Sequence, residues 1–340
     1  MSPAFAMSDI ESSVDRVAEE TRFSGVVRAD RGDDVLLCKA YGLAHRWGIA
    51  NTIDTRFATA SGTKGLTALT VMSLIEEDRL ELGTTARSVL GDDLPLIEDA
   101  VTVEHLLAHR SGIGDYFDEE IERPKDAYIL PIPVHQLATT EPYVRVLDGF
   151  PTKFPPGERF SYSNSGYVIL ALLAERVSGI PFHDLVVQRV CEPAGMVDST
   201  FLRSDDLPER TALGYLDPNG HRTNVFHLAV RGTGDGGIYT TAADMHTFWK
   251  ALFAGRIVRT DTVTEMLRPR SDVAGDPPGQ YGLGFWLFPQ LDVVELHGSD
   301  AGVSFLTDHS AERRLTYTVL SNTTEGAWPV SYHLDEILSA

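Results

Sequence analysis

Cysteine is nearly absent. Cys38 and Cys191 are the only two in 340 residues, too few to hold a fold together through a disulfide framework. Basic residues are also short: 29 face 49 acidic ones, for a formal charge of −20, and only five of them are lysines. A field of that sign repels phosphates and anionic headgroups, which excludes nucleic-acid or membrane-surface binding by broad electrostatics. Long apolar runs are missing too. The stretch 168–174 stops at Glu175, far below the roughly 20 residues of a spanning helix. The first seven residues, followed by Asp9 and Glu11, carry neither the basic nor the apolar region of an export signal. The chain therefore reads as cytoplasmic. What is present is ordinary globular composition, 43% hydrophobic, 9% aromatic and 23% charged, in a length that allows one large domain or two. A compact enzyme or small-molecule binder fits these values.

No repeat or low-complexity tract interrupts the chain. A first helix is expected over 9–21, with Ile10, Val14 and Val17 on one face. Strands are expected over 24–29 and 35–43, joined by a turn at 30–34. Between 61 and 78, Leu66, Leu69, Met72 and Ile75 recur at i+3 steps, and Val71 and Leu74 add a neighbouring face. A helix apolar on two faces belongs between layers. Further helices are expected at 103–109, 134–138 and 166–177. Pro151, Pro155, Pro156 and Gly157 punctuate the stretch before Phe160. The last hundred residues return to strands, at 282–287, 293–296, 303–307 and 315–321, and a helix over 328–338 closes the chain. This order predicts an α+β fold: an antiparallel sheet flanked by helices and built from both chain ends. The expected division is 1–75 plus 230–340 for the sheet domain and 76–229 for a mostly helical one, with the active site in the cleft between them.

Three elements could carry chemistry. Ser61-Gly-Thr-Lys64 opens the two-faced helix, and its i, i+3 spacing puts hydroxyl and amine on one side of a turn. The helix N-terminus favours negative charge there, and a buried lysine can serve a serine nucleophile as base. With 22 Ser and five Lys in the chain, Ser-x-x-Lys is expected by chance about 0.3 times. Alone it is weak, because an N-cap serine before a surface lysine looks the same. The second element is Tyr162-Ser-Asn164, expected by chance about 0.16 times. A tyrosine beside a lysine ammonium can become a phenolate base, whereas the plain reading is a core tyrosine before a helix. The third is Glu295-Leu-His-Gly-Ser-Asp-Ala-Gly302 on a late strand. A small residue there lets a strand approach a substrate and offer a backbone N–H to an oxyanion. A tight hairpin would look alike.

In this order the three elements resemble the serine hydrolases of the class C β-lactamase and D,D-peptidase superfamily, which includes the family VIII-type esterases. The likeness spans roughly residues 24–321. It extends to Val103-Glu-His-Leu-Leu-Ala-His-Arg-Ser-Gly-Ile113, Phe154-Pro-Pro-Gly-Glu-Arg-Phe-Ser-Tyr-Ser-Asn-Ser-Gly-Tyr167, Gly236-Gly-Ile-Tyr-Thr-Thr-Ala-Ala-Asp-Met245 and Tyr281-Gly-Leu-Gly-Phe285. It implies a β-lactamase/transpeptidase-like fold and an acyl-enzyme on Ser61. Lys64 would share in proton transfer, and Tyr162 would act as general base or acid. Asn164 would contact the acyl side chain, with His297 and Gly298 also at the substrate. The N–H groups of Ser61 and Ser299 would form the oxyanion hole. No cofactor or metal is implied, and the substrate would be a small ester, amide or β-lactam.

The third motif departs from the Lys-Thr-Gly or His-Thr-Gly of many members. Counting back from Gly302 and Val303 gives Leu296-His297-Gly298, and aligning on the histidine gives His297-Gly298-Ser299. The first register keeps the glycine in place and puts leucine where a carboxylate-steering lysine would stand. That counts against β-lactamase or carboxypeptidase action and toward a carboxylesterase. β-Lactamase or D-amino-acid peptidase activity is the alternative, and a non-catalytic binding member of the fold is a third reading, which intact Ser61, Lys64 and Tyr162 oppose. Other patterns are discounted. His105 and His109 have a zinc-like i, i+4 spacing without the metalloprotease glutamate. Gly232-Thr-Gly-Asp-Gly-Gly237 matches a dinucleotide fingerprint without its βαβ unit, so a turn beside the cleft is expected. No Gly-x-Ser-x-Gly elbow occurs. Ser111 and Asp115 are read as turn residues.

Overall fold

The structure is a computed structural model that describes residues 7–122 and 124–338. Eight antiparallel strands form its main sheet. In chain order they are β1 (Gly25–Arg31), β2 (Asp34–Tyr41), β3 (Ser271–Val273), β4 (Gly279–Tyr281), β5 (Trp286–Phe288), β6 (Val293–Asp300), β7 (Val303–Ser310) and β8 (Leu315–Ser321). The spatial order is β2-β1-β8-β7-β6-β5-β4-β3. The first hairpin thus joins the last strand, with Gly25 opposite Ser321 and Arg31 opposite Leu315. The fold is α+β, and its sheet draws on both ends of the described chain.

Period-two alternation splits the strand side chains between two cores. Val27, Ala29, Leu306 and Val319 face α1 (Met7–Thr21) and the last helix, meeting Ile10 and Val14 of one and Val330 and Leu334 of the other. On the opposite face Val26, Leu296, Phe305 and Leu320 meet α2 (Thr63–Glu76), α3 (Asn164–Ser178) and α4 (Ala242–Phe253). The closing helix, α5, runs Ala327–Leu338. Every residue of α2 from Thr63 to Leu74 is buried, because its apolar residues cover both faces and each meets a layer. Among the described residues, no single helix is long and apolar enough to cross a membrane.

Two expected elements differ. The strand expected over 282–287 is a hairpin turn, with strand geometry resuming only at Trp286. Gly284 has φ of 93°, and a Cβ there would sit 2.3 Å from Ala68. The chain bends here to pass α2, and alternation in the sequence does not register that. The helix expected over 134–138 is a single tight turn, Val134–Gln136, entered from Pro133. A small sheet completes the frame: Ile238–Thr240 lies between Phe57–Ala58 and Thr200–Phe201. It brings the glycine-rich segment before Ile238 alongside the chain that leads into α2.

Candidate active site

Ser61 follows a strained residue. Ala60 has φ of 44°, a left-handed conformation that costs a non-glycine residue roughly 1–3 kcal/mol. Surrounding bonds hold it there, since its carbonyl accepts from Thr63 Oγ1 at 2.8 Å and Gly237 N at 3.4 Å. A tight turn over Ala60–Gly62 then feeds α2. Strand β6 passes against this turn at Gly298, where a Cβ would lie 2.5 Å from Ser61 N and 2.3 Å from Thr59 O. Only glycine permits that approach.

Lys64, one turn after Ser61, is 2% exposed. Its Nζ lies 2.9 Å from Ser61 Oγ, 2.8 Å from Asn164 Oδ1 and 2.7 Å from the carbonyl oxygen of Asp235. Burial lowers its pKa below the ordinary lysine value, while Asp235, Glu119, Asp115 and Asp300 pull the other way. In the neutral amine one contact reverses, and Ser61 Oγ–H donates to Nζ. Tyr162 is hydrogen-bonded to Ser61, and its ring lies 5.0 Å from Lys64 Nζ and stacks on Trp286 at 6.0 Å. Loss of solvent pushes its phenol well above the ordinary value, and the Glu119 charge adds to this. Both directions favour the neutral forms, an amine at Lys64 and a phenol at Tyr162, for a pair whose resting proton the sequence leaves open.

Asn164 is the first residue of α3, and its Nδ2 donates to Phe117 O at 3.0 Å and Glu119 Oε1 at 3.1 Å. Asp115 fixes that helix end. Its carboxylate accepts from Asn164 N at 2.6 Å, Ser165 N at 3.2 Å, Ser165 Oγ at 3.1 Å and Phe117 N at 3.0 Å. Burial nonetheless raises it to about 6. Sequence reasoning took Asp115 for a turn residue and passed over Asp235, because each acts on a group far away in the chain. A carboxylate at a helix N-terminus is a recognisable device, but nothing local to Asp115 points to Asn164.

On β6, Leu296 is 2% exposed and packs on Gly65, where a Cβ would sit 2.6 Å from its Cδ2. His297 turns to the other face, where its Nδ1 meets Glu295 Oε1 and its ring stacks on Trp286 at 5.1 Å. Ser299 Oγ donates to Thr324 O at 3.0 Å. The two discounted histidines are engaged separately. His105 Nδ1 accepts from Thr102 N at 3.3 Å and His109 Nδ1 from Ser163 N at 3.0 Å. Residues 232–237 form a turn against Ser61, and Asp235 within it holds Lys64.

Two cavities flank Ser61. One runs past Asn164 between Tyr116, Tyr128 and Leu228. The other lies between Tyr162, Trp286, His297 and Trp328. Ser61 and Ser299 line both. A carbonyl at Ser61 would thus have one substituent on the Asn164 side and the other beside Tyr162.

Residues 10–340 match the family model described as Beta-lactamase. The crystal structure of a penicillin binding protein from Bacillus halodurans superposes with a TM-score of 0.89. It is 33% identical and covers 95% of this chain and 99% of that one. Penicillin-binding protein 4* of Bacillus subtilis (strain 168) is 26% identical over 347 residues, 93% of this chain and 72% of the relative. Esterase EstB of Burkholderia gladioli is 29% identical over 316 residues, 84% of this chain and 79% of the relative.

Proposed function

The chain belongs to the Beta-lactamase family of serine hydrolases, and from that premise we propose that it hydrolyses carboxylic esters through an acyl-enzyme on Ser61. The observation that carries this is the 2.9 Å contact between Ser61 Oγ and a buried Lys64 whose burial favours the neutral amine. Such an amine takes the hydroxyl proton as Oγ bonds to the acyl carbon. The N–H groups of Ser61 and Ser299 then face the oxyanion, each worth about 10²–10³ in rate. As the ester C–O bond breaks, Tyr162 protonates the departing alkoxide and recovers a proton from the Lys64 ammonium. Water enters from the vacated side, and the same groups run the step in reverse to release the acid.

Preference for esters draws on β6. Leu296 is buried against Gly65 and carries no charge, so position 296 offers no cation to a substrate carboxylate, and the one basic side chain of β6, His297, is engaged by Glu295. A second reading, β-lactam or D-amino-acid amide hydrolysis, draws on Lys125, which lines both cavities from the helical side. The test is intact-mass labelling with a fluorophosphonate and peptide mapping of the adduct, followed by turnover of benzyl esters, anilides and a β-lactam. One adduct on Ser61 with ester turnover is expected. Folded protein that takes no adduct would overturn the proposal, and faster amide or β-lactam turnover would move it to the second reading.

A further inference from the structure

The cavity on the Asn164 side has two kinds of wall. Tyr116, Phe117 and Tyr128 line it as an aromatic cluster, with Phe117 and Tyr128 edge to face at 4.8 Å and Tyr116 and Tyr128 6.2 Å apart. Three carboxylates, Asp300, Asp235 and Glu119, share the same space. Ring faces attract cations, more strongly where water is excluded. A neutral acyl chain would satisfy the rings but add no positive charge beside the three carboxylates.

The carboxylates are not equivalent. Asp235 accepts from Tyr116 Oη at 2.5 Å and Glu119 from Asn164 Nδ2 at 3.1 Å. Asp300 has one oxygen on its neighbour's N–H, Ala301 N at 2.7 Å, and among the described residues it forms no salt bridge. Its place follows from the strand period: Gly298 and Asp300 lie two apart and share a face of β6. Gly298 is the residue pressed on Ser61 N, so Asp300 stands about 7 Å further along that face. Lys125 is the only lysine or arginine lining this cavity among the described residues. It is half-buried, on a segment whose neighbours Pro124 and Asp126 are exposed. Burial, with Asp235 and Glu119, outweighs the pull of Lys125 and raises the Asp300 carboxyl to about 6. At the same cavity Ser204 Oγ and His227 Nδ1 are shielded from solvent and have no hydrogen-bond partner.

We propose that this cavity takes an acyl group bearing a protonated amine, and that Asp300 is the residue that selects it. The proposal rests on the ester-hydrolase reading of Ser61. The amine sits with an N–H on the open oxygen of Asp300, the aromatic cluster covers the intervening carbons, and the acyl carbon remains at Ser61.

The test compares kcat/KM for benzyl esters in isosteric pairs at neutral pH. The pairs are 4-aminobutyryl against pentanoyl and each alanyl enantiomer against 2-methylpropanoyl, with hemiglutaryl as the anionic counterpart. In at least one pair the amine is expected to exceed its neutral partner by about tenfold or more, with hemiglutaryl slowest. In Asp300→Asn that ratio falls toward one. The wild-type ratios decide the charge preference without the variant, and the variant decides the residue. Equal or better turnover of the neutral partners overturns the proposal while leaving ester hydrolysis standing. A preference for hemiglutaryl overturns it in favour of Lys125 as selector, and a ratio unchanged in Asp300→Asn overturns the assignment to that residue. No turnover and no fluorophosphonate adduct overturn this proposal and the reading beneath it together.

Discussion

Two clusters of polar side chains lie on opposite faces of the same sheet, and burial acts on them in opposite directions. On the α2 face a single amine, Lys64, meets Ser61, Asn164 and the Asp235 carbonyl. On the α5 face the cluster is acidic. Glu295 and Asp308 stand directly across from each other on β6 and β7, and the Tyr317 hydroxyl contacts both Asp308 Oδ2, at 2.6 Å, and Asp335 Oδ1. One hydroxyl has one proton, so two short contacts to carboxylates require a carboxyl that keeps its own. Burial, reinforced by Glu295 and Asp335, accordingly pushes Asp308 well above its ordinary value. In each cluster burial favours the uncharged form, the free amine at Lys64 and the protonated carboxyl at Asp308. The difference lies in what reaches the cavities. Ser61, beside Lys64, lines both; of the acidic cluster Glu295 lines the second, whereas Asp308 and Asp335 line neither. The first arrangement leaves a lone pair aimed at a hydroxyl, and the second leaves a pH-dependent brace between sheet and helix.

The strongest way to break this contrast is to remove what makes the first cluster reactive. Ser61→Ala is expected to lower kcat by about 10⁴- to 10⁶-fold and abolish labelling, with the melting temperature little changed. Residual turnover near the wild-type level would mean that the chemistry lies elsewhere. Lys64→Gln and Tyr162→Phe are each expected to cost about 10²–10⁴-fold, and they should differ by leaving group. If Lys64 is the base, its loss slows p-nitrophenyl and benzyl esters alike. If Tyr162 is the acid, its loss hurts the benzyl ester far more, because p-nitrophenoxide departs without a proton. In wild type the acid limb of the pH–rate profile should fall well below the lysine reference of 10.5, since burial lowers Lys64. A limb at the ordinary lysine position would show a charged resting amine.

How much of this could be read from the chain divides along the range of the interactions. Ser61 and Lys64 are one helical turn apart, and Tyr162 and Asn164 flank a helix start, so short spacings disclosed them. Helix α2 betrayed its burial by being apolar on two faces. The hairpin at 282–285 was misread as strand because its bend answers to Ala68, more than two hundred residues away. The resting proton between Lys64 and Tyr162 stays open in the sequence for a related reason: one nearby charge is visible there and the lost water is not. Asp115, Glu119, Asp235 and Asp300 stayed hidden because each lies on a loop or strand end that reaches the site only in the folded chain.

Asp115→Asn sharpens the comparison more gently. The carboxylate anchors Asn164 without touching the cavities, so it is a positioning residue. An amide keeps one acceptor and loses the charge at the helix N-terminus. A fall of about 10- to 10²-fold in kcat is expected. A merely structural role would instead lower the melting temperature and leave kcat of the folded fraction intact.

The smallest effect belongs to the acidic cluster, and its sign is the informative part. Below about pH 4 Asp308 is protonated in both folded and unfolded chains, so it does not distinguish them. As pH rises the unfolded chain releases this proton while the folded protein retains it, because the folded pKa is raised. Stability present at low pH is therefore lost as pH climbs through the folded value. Asp308→Asn fixes the neutral form: its amide donates where the carboxyl proton did and does not titrate. The melting temperature of the variant should match or fall below wild type near pH 4. It should exceed wild type at pH 8 by a few degrees, ~1 kcal/mol for a protein of this size. Two curves that stay parallel from pH 4 to pH 8 would mean that Asp308 is ionised in the fold, and that the two clusters do not respond to burial in opposite directions.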